Sequence, residues 1–103
     1  MKLRQIAHAR AGDKGDTANI SVIAYNVVDF AHLERHLSAD GVKNYFSNPA
    51  IREVRRYELP ALSALNFVLE GALSGGVTQS LAMDAHGKCL SSVLLDLEIP
   101  DLV

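Results

Sequence analysis

The chain has 103 residues, which is enough for one small domain, and we predict a single domain over residues 1–103. Hydrophobic residues make up 49% of the sequence and charged residues 21%, a composition that excludes intrinsic disorder and low-complexity sequence. Ten Lys and Arg against twelve Asp and Glu leave a formal net charge of −2, which excludes the basic surface that nucleic acid requires.

Hydrophobic periodicity and turn residues predict an α+β domain with the element order ββααβαββ. The predicted elements are, in chain order, a strand at 3–9, a loop at 10–16, a strand at 17–25, a helix after Asp29, a helix from Ser38 to Phe46, a strand at 51–59, a helix through 62–73, and two hairpin strands at 78–84 and 89–99. Because strands and helices do not alternate regularly, we expect a mostly antiparallel sheet with helices on one face. The charge of the strand at 51–59 indicates an edge position.

Two regular hydrophobic patterns determine the predicted helix through 62–73 and the predicted last strand. The helix through 62–73 follows from leucines at i, i+3, i+7 and i+11, namely Leu62, Leu65, Leu69 and Leu73. The last strand follows from alternating apolar residues, namely Val93, Leu95, Leu97 and Ile99. His86-Gly87 lies near the hairpin turn, and the hairpin register stays open between a two-residue and a three-residue turn.

The sequence also limits the compartment and the partners. A single cysteine, Cys89, excludes an internal disulfide and a CxxC zinc or redox motif. The N-terminus has no apolar signal segment, and no apolar run approaches the roughly 20 residues of a membrane span, so we expect a cytoplasmic protein with no membrane partner. For so small a domain the composition is apolar, and we therefore expect a homo-oligomer or a partner subunit.

The segment that folding explains least runs from Arg10 to Asn19, Arg-Ala-Gly-Asp-Lys-Gly-Asp-Thr-Ala-Asn. Its two glycines leave backbone amides unobstructed around a lysine and two carboxylates. Such a loop would hold an anion with its amides and Lys14, or orient a polar substrate with Asp13 and Asp16. The alternative is a charged turn that joins two strands. The segment matches neither a Walker A motif nor GxGxxG.

Other polar and glycine residues complete the candidate set. Asn66 interrupts the most apolar predicted helix, where it would bond neighbouring backbone, the loop or a ligand. The pair Gly75-Gly76 either caps that helix or lets a ligand approach the backbone. The candidate ligand-binding residues are therefore Gly12, Asp13, Lys14, Gly15, Asp16, Asn19, Asn66, Gly75 and Gly76. His32 and His36 share a helix face without a third ligand, so we predict no metal, and no cofactor or catalytic residue is assigned.

The residues from Ala9 to Ile20, Ala-Arg-Ala-Gly-Asp-Lys-Gly-Asp-Thr-Ala-Asn-Ile, closely resemble the opening of the C-terminal, ferredoxin-fold-like domain of AtuA-type proteins, the acyclic terpene utilisation family. Later stretches also resemble this domain, at 57–60, 65–67, 71–76, 80–81, 84–88, 91–92 and position 95. The resemblance runs from about residue 5 to 99. It implies a ferredoxin-like fold and a connection with degradation of branched or terpenoid acyl-CoA compounds.

Two hypotheses about function follow from this resemblance. In the family a much larger N-terminal domain usually precedes this one. The first hypothesis is therefore a non-catalytic accessory domain that binds a large AtuA N-terminal-like or acyl-CoA-processing protein, and also itself. The second is a small domain that binds an acyl-CoA thioester or its acid, or acts on it. In that case the 12–15 amides and Lys14 would hold an anionic group, Asp13 or Asp16 would act as a base, and Asn66 would orient a carbonyl.

Overall fold

The computed structural model of the chain describes residues 1–73 and 88–102. The helices and strands are β1 (Ala7–Lys14), β2 (Thr17–Ala24), α1 (Phe30–His36), α2 (Ala39–Phe46), β3 (Glu53–Leu59), β4 (Ala64–Glu70) and α3 (Lys88–Leu94). The strands form one sheet in the order β1-β2-β4-β3, and each neighbouring pair is antiparallel. The predicted α+β class with a mostly antiparallel sheet is confirmed.

The core lies between one face of this sheet and the helices. Strands β2 and β4 occupy the centre, and their inward side chains are fully buried in directly opposed pairs, such as Ile20 with Phe67 and Val22 with Leu65. The helices add buried residues to the same cluster, namely Leu33, Val42, Phe46, Leu90 and Leu94. On this side β1 contributes the small side chains of Ala7, Ala9 and Ala11, with Asp13 exposed near the hairpin, so α3 packs closely over the strand. This single core explains why the helices share one face of the sheet.

The first strands and helices largely follow the sequence prediction. Strand β2, both helices after it and the edge position of β3 are confirmed. Ser38 caps α2, because its Oγ accepts a hydrogen bond from the Gly41 amide at 2.9 Å. Asp29 precedes α1 but its side chain makes no cap bond. The confirmed elements are those in which apolar residues recur with only one period and a capping or turn residue marks the end of the element.

The predicted loop at 10–16 is wrong for most of its length, because β1 begins at Ala7 and continues to Lys14. Residues 3–5, predicted as strand, form a 3-10 turn. Only Gly15 and Asp16 form the turn to β2, with Lys14 paired with Thr17. Gly15 has a φ of +63°, as a two-residue hairpin turn requires. Charged residues are tolerated here because β1 pairs with β2 alone within residues 1–73 and 88–102, and its Asp13 and Lys14 side chains are exposed.

The predicted helix through 62–73 is wrong, because Ala64–Glu70 form the central strand β4. Leu65 and Leu69 are four residues apart, a spacing that fits both a helix and a strand of period two. Phe67 is also fully buried, so the observed period is two. Positive φ at Ser63 and Gly71, +53° and +89°, bounds the strand at both ends and would interrupt a helix. Pro60 begins a short 3-10 turn instead.

The predicted last strand at 89–99 is also wrong in its first half, where α3 spans Lys88–Leu94. Buried Leu90 and Leu94 lie one helical turn apart against the sheet. The chain then turns, with the Leu97 amide donating to the Leu94 carbonyl at 2.9 Å, and meets the N-terminus through a bridge from Lys2 to Glu98. The predicted strand at 78–84, the His86-Gly87 turn and the Gly75-Gly76 pair lie outside the described residues.

No helix in the described part of the chain has the length and apolar character needed to cross a bilayer. This agrees with the absence of a long apolar run from the sequence.

Two glycines with positive φ provide a matched test of this fold. A Cβ on Gly71 would overlap the Ala50 carbonyl oxygen and lie 2.9 Å from Arg52 Nη1, whereas a Cβ on Gly15 would meet nothing within 4 Å. We expect Gly15→Ala to lower the free energy of unfolding by roughly 1–2 kcal/mol from backbone strain alone. Gly71→Ala should cost about 1–3 kcal/mol more because of the added overlap. Urea unfolding of both variants measures this difference, and equal costs would contradict the described packing at Gly71.

Candidate functional site

The side chains that alternate with the core residues form a second surface of the sheet, which we call the open face. Directly opposed residues cross it in rows, one residue from each strand. One row consists of Arg10, Ser21, Asn66 and Tyr57, and we call it the polar row. The next row consists of Gly12, Asn19, Val68 and Arg55. The residues of the two central strands are half-buried by their neighbours on this face.

The polar row carries hydrogen-bonding groups from all four strands. Asn66 Nδ2 donates to Ser21 Oγ at 2.8 Å, which holds these two side chains together at the middle of the sheet. At one end of the row, Arg10 is exposed and has no hydrogen-bond or ion-pair partner within residues 1–73 and 88–102. At the other end, Tyr57 is exposed on β3. A free guanidinium beside a hydroxyl and an amide is suited to a carboxylate or a carbonyl.

Exposed apolar residues flank the polar row at the end of the sheet where β2 stops and β4 starts. The Tyr25 ring stacks on His8 with ring centroids 5.2 Å apart, beside the row that contains Ile23 and Leu59. The exposed large apolar side chains at this end are Tyr25, Leu59 and Leu62, and we call them the apolar rim. The Ala24 amide donates to the Ser63 carbonyl at 2.9 Å, which joins the two segments that carry the rim.

At the opposite end of the open face the charged side chains of β3 and β4 are paired with one another. Arg55 contacts Glu70 at 2.7 Å and Glu53 at 3.3 Å. The hydrogen bond that Arg55 donates to Glu53, with Tyr57 and Glu70 nearby, raises the pKa of Arg55 above its ordinary value. Arg55 is therefore neutralised within the sheet, in contrast to Arg10 on the far edge.

The structure divides the predicted ligand-binding segment between two faces. Gly12 and Lys14 alternate onto the open face, and Asp13 onto the side of Ala18 and the core. The side-chain amide of Asn19 lies beside Gly12, since a Cβ there would be 3.1 Å from Asn19 Nδ2. Gly12 thus makes room for Asn19. Lys14 and Gly15 lie exposed at the tip of the hairpin.

Asp16 has a structural role in the turn. Its Oδ2 accepts a hydrogen bond from Arg52 Nη1 at 3.2 Å, and its Oδ1 accepts one from Thr17 Oγ1 at 3.3 Å. Its carbonyl also accepts the Leu73 amide at 2.9 Å. These contacts attach the hairpin to the segments around β3 and β4. The candidates brought together on the open face are therefore Gly12, Lys14, Asn19 and Asn66, without the two carboxylates.

Three residues of the polar row were not among the predicted site residues, namely Arg10, Ser21 and Tyr57. The signal for Ser21 is present, because Thr17, Asn19 and Ser21 alternate with buried Ala18, Ile20 and Val22 along β2. Arg10 and Tyr57 join the site only through the strand order, which places β1 and β3 on opposite edges of the sheet.

The histidine pair on α1 serves contacts within the chain. His32 and His36 have ring centroids 4.5 Å apart, and His32 Nε2 lies 2.6 Å from the Pro100 carbonyl oxygen. Burial, followed by the neighbouring His32, lowers the pKa of His36 below its ordinary value. Among the residues that the structure describes, no three His, Cys, Asp or Glu side chains gather where they would hold a metal ion.

Comparison with known proteins assigns the chain to a family. No curated protein and no solved structure matches it significantly. A family model, described as the AtuA ferredoxin-like domain, matches residues 1–100, nearly the whole sequence. This match agrees with the antiparallel α+β sheet and with the motif from Ala9 to Ile20 that lies along β1 and β2. The chain belongs to the AtuA ferredoxin-like domain family.

Proposed function

We propose that the chain is an accessory binding domain that docks on a protein partner through the open face of its sheet, and that it also associates with itself. The proposed partner is a large AtuA N-terminal-like protein or another acyl-CoA-processing protein, and the setting is catabolism of branched or terpenoid acyl-CoA compounds. The family match supports the context, and the open face supports the mode of action.

The observation that carries this proposal is the composition of the open face. It combines the exposed guanidinium of Arg10, the half-buried Ser21–Asn66 pair and the exposed Tyr57, with the apolar rim beside them. Protein interfaces are enriched in Tyr and Arg and combine an apolar centre with specific polar contacts. Asp13 lies on the opposite side of the sheet and Asp16 is engaged by Arg52. This arrangement favours recognition over acid–base catalysis by these two carboxylates.

A charge reversal on the open face tests the docking proposal. Arg10→Glu should weaken binding to the purified large AtuA-type protein of the same genome by at least about tenfold, or ~1.4 kcal/mol, because an exposed cation on the open face is replaced by an anion. Arg35→Glu is the matched control, since Arg35 is an exposed arginine on α1, away from the open face. Isothermal titration calorimetry measures both dissociation constants. Equal effects of the two substitutions would place the docking surface elsewhere.

A second candidate function is binding of a small carboxylate or acyl-CoA thioester on the same face. It is favoured by the exposed guanidinium of Arg10 in the same row as the Ser21–Asn66 pair, with Lys14 and Asn19 on the same side of the sheet. A guanidinium with adjacent hydroxyl and amide groups can bind both oxygens of a carboxylate or the carbonyl of a thioester. This candidate requires no protein partner, so the two functions can be separated.

Ligand-induced stabilisation tests this candidate. A ligand at a hundredfold excess over its dissociation constant should raise the free energy of unfolding by about 2.7 kcal/mol. We expect such a shift with branched acyl-CoA or the free acid, and its loss in Arg10→Gln but not in Arg35→Gln. Thermal unfolding with a panel of thioesters and acids measures it. If no compound shifts the transition, the small-ligand candidate is rejected while the docking proposal stands on its own measurement.

A further inference from the structure

Strand β3 has one neighbouring strand, β4, in the part of the sheet that the structure describes. The other edge of β3 therefore presents backbone groups that can pair with a further strand. Its sequence over Glu53–Leu59 contains charges of both signs and two exposed apolar side chains, Tyr57 and Leu59, which are 47% and 39% exposed. An edge strand of this composition can discriminate between partners by charge.

The charges of β3 are self-complementary about Tyr57. When two copies of the strand run antiparallel with Tyr57 on the two-fold axis, Arg56 of each copy lies directly opposite Glu58 of the other. Arg56 and Glu58 are also paired within one strand, at 3.1 Å. The four charges then alternate in sign around a square. Opposite charges placed directly across antiparallel strands stabilise the pairing.

Neighbouring registers are unfavourable for the same reason. Moving the axis to Arg56 places that guanidinium opposite its own copy, and moving it to Glu58 places two carboxylates together. Like charges directly opposite each other destabilise a strand pair. The register centred on Tyr57 is therefore favoured over the registers centred on Arg56 or Glu58. It also places Arg55 directly opposite Leu59 of the second copy.

The surroundings of Glu58 provide a second, independent observation. Arg56 Nη2 donates to the Glu34 carbonyl at 2.8 Å, which brings the end of α1 to this edge. The Glu58 carboxylate lies close enough to Glu34 to raise the pKa of Glu34 above its ordinary value. Two carboxylates thus share one guanidinium within the chain. A second guanidinium opposite Glu58 would relieve this crowding.

We propose that the chain forms a two-fold dimer in which β3 pairs antiparallel with β3 of a second copy, with Tyr57 on the axis. The pairing keeps the faces aligned, so the two sheets become continuous with all helices on one side. The two polar rows then meet end to end at the paired Tyr57 side chains. This inference rests on the self-association in the proposed function and identifies the surface that mediates it. The dimer presents one continuous open face to a partner.

Complementary charge reversal tests this interface. In analytical ultracentrifugation the wild-type chain should sediment as a concentration-dependent dimer. Arg56→Glu and Glu58→Arg should each weaken self-association at least tenfold. Far-ultraviolet circular dichroism confirms that both variants are folded. An equimolar mixture of these two variants should restore dimers, because glutamates then face arginines at both positions. A monomeric wild type, unaffected single variants, or a mixture that stays monomeric would each overturn the proposal. Binding of the large AtuA-type protein is measured separately, so failure here does not decide the docking proposal.

Disulfide trapping tests the register without changing these charges. In a Cys89→Ser background, Tyr57→Cys should form a covalent dimer under mild oxidation, since opposed residues have Cα atoms about 4.5–5.5 Å apart, within disulfide range. Arg55→Cys is the matched control on the same strand and face. In this register it lies about 13 Å from its own copy along the strands and should not cross-link. Equal cross-linking of the two variants, or none, would exclude the register centred on Tyr57.

Discussion

The pairing of β2 with β4 is the constraint on which the rest of the structure depends. Its register sets Ile20 opposite Phe67 in the core and, by alternation, Ser21 opposite Asn66 on the open face. A slip of one residue would bury the amide and the hydroxyl and expose the phenylalanine. Burying a polar group without its partners costs about 1–3 kcal/mol, and the lost apolar burial adds a similar amount. The core therefore fixes the composition of the open face.

The parts of the fold that could be predicted from sequence are those in which only one hydrophobic period is present. Strand β2 alternates strictly, and Ser38 and Pro49 bound α2, so these elements were identified. The spacing of Leu65 and Leu69 fits both a helix and a strand of period two. The burial of Phe67 and the positive φ of Gly71 distinguish the strand from the helix. Such local ambiguity is resolved by tertiary pairing, which a single sequence does not display.

The candidate site could be predicted only in part for a related reason. Asn66 was identified because a polar residue interrupts an apolar segment, although its element was predicted as helix. Its partner Ser21 comes from a strand 45 residues away. Arg10 and Tyr57 belong to the same row because β1 and β3 lie on opposite edges, which depends on strand order. Strand order results from packing of the whole core, and no local pattern in β1 or β3 encodes it.

We infer that recognition uses the open face of the sheet and leaves the helix-covered face untouched. The most direct measurement is a nuclear magnetic resonance titration of the isotope-labelled chain with the large AtuA-type protein. The side-chain amide signals of Asn19 and Asn66 should shift and broaden. The methyl signals of Ile20 and Leu65, which are their neighbours along β2 and β4 but lie on the covered face, should change little. A response confined to Leu33 and the other helix-side methyl groups, with both amides unchanged, would contradict the account.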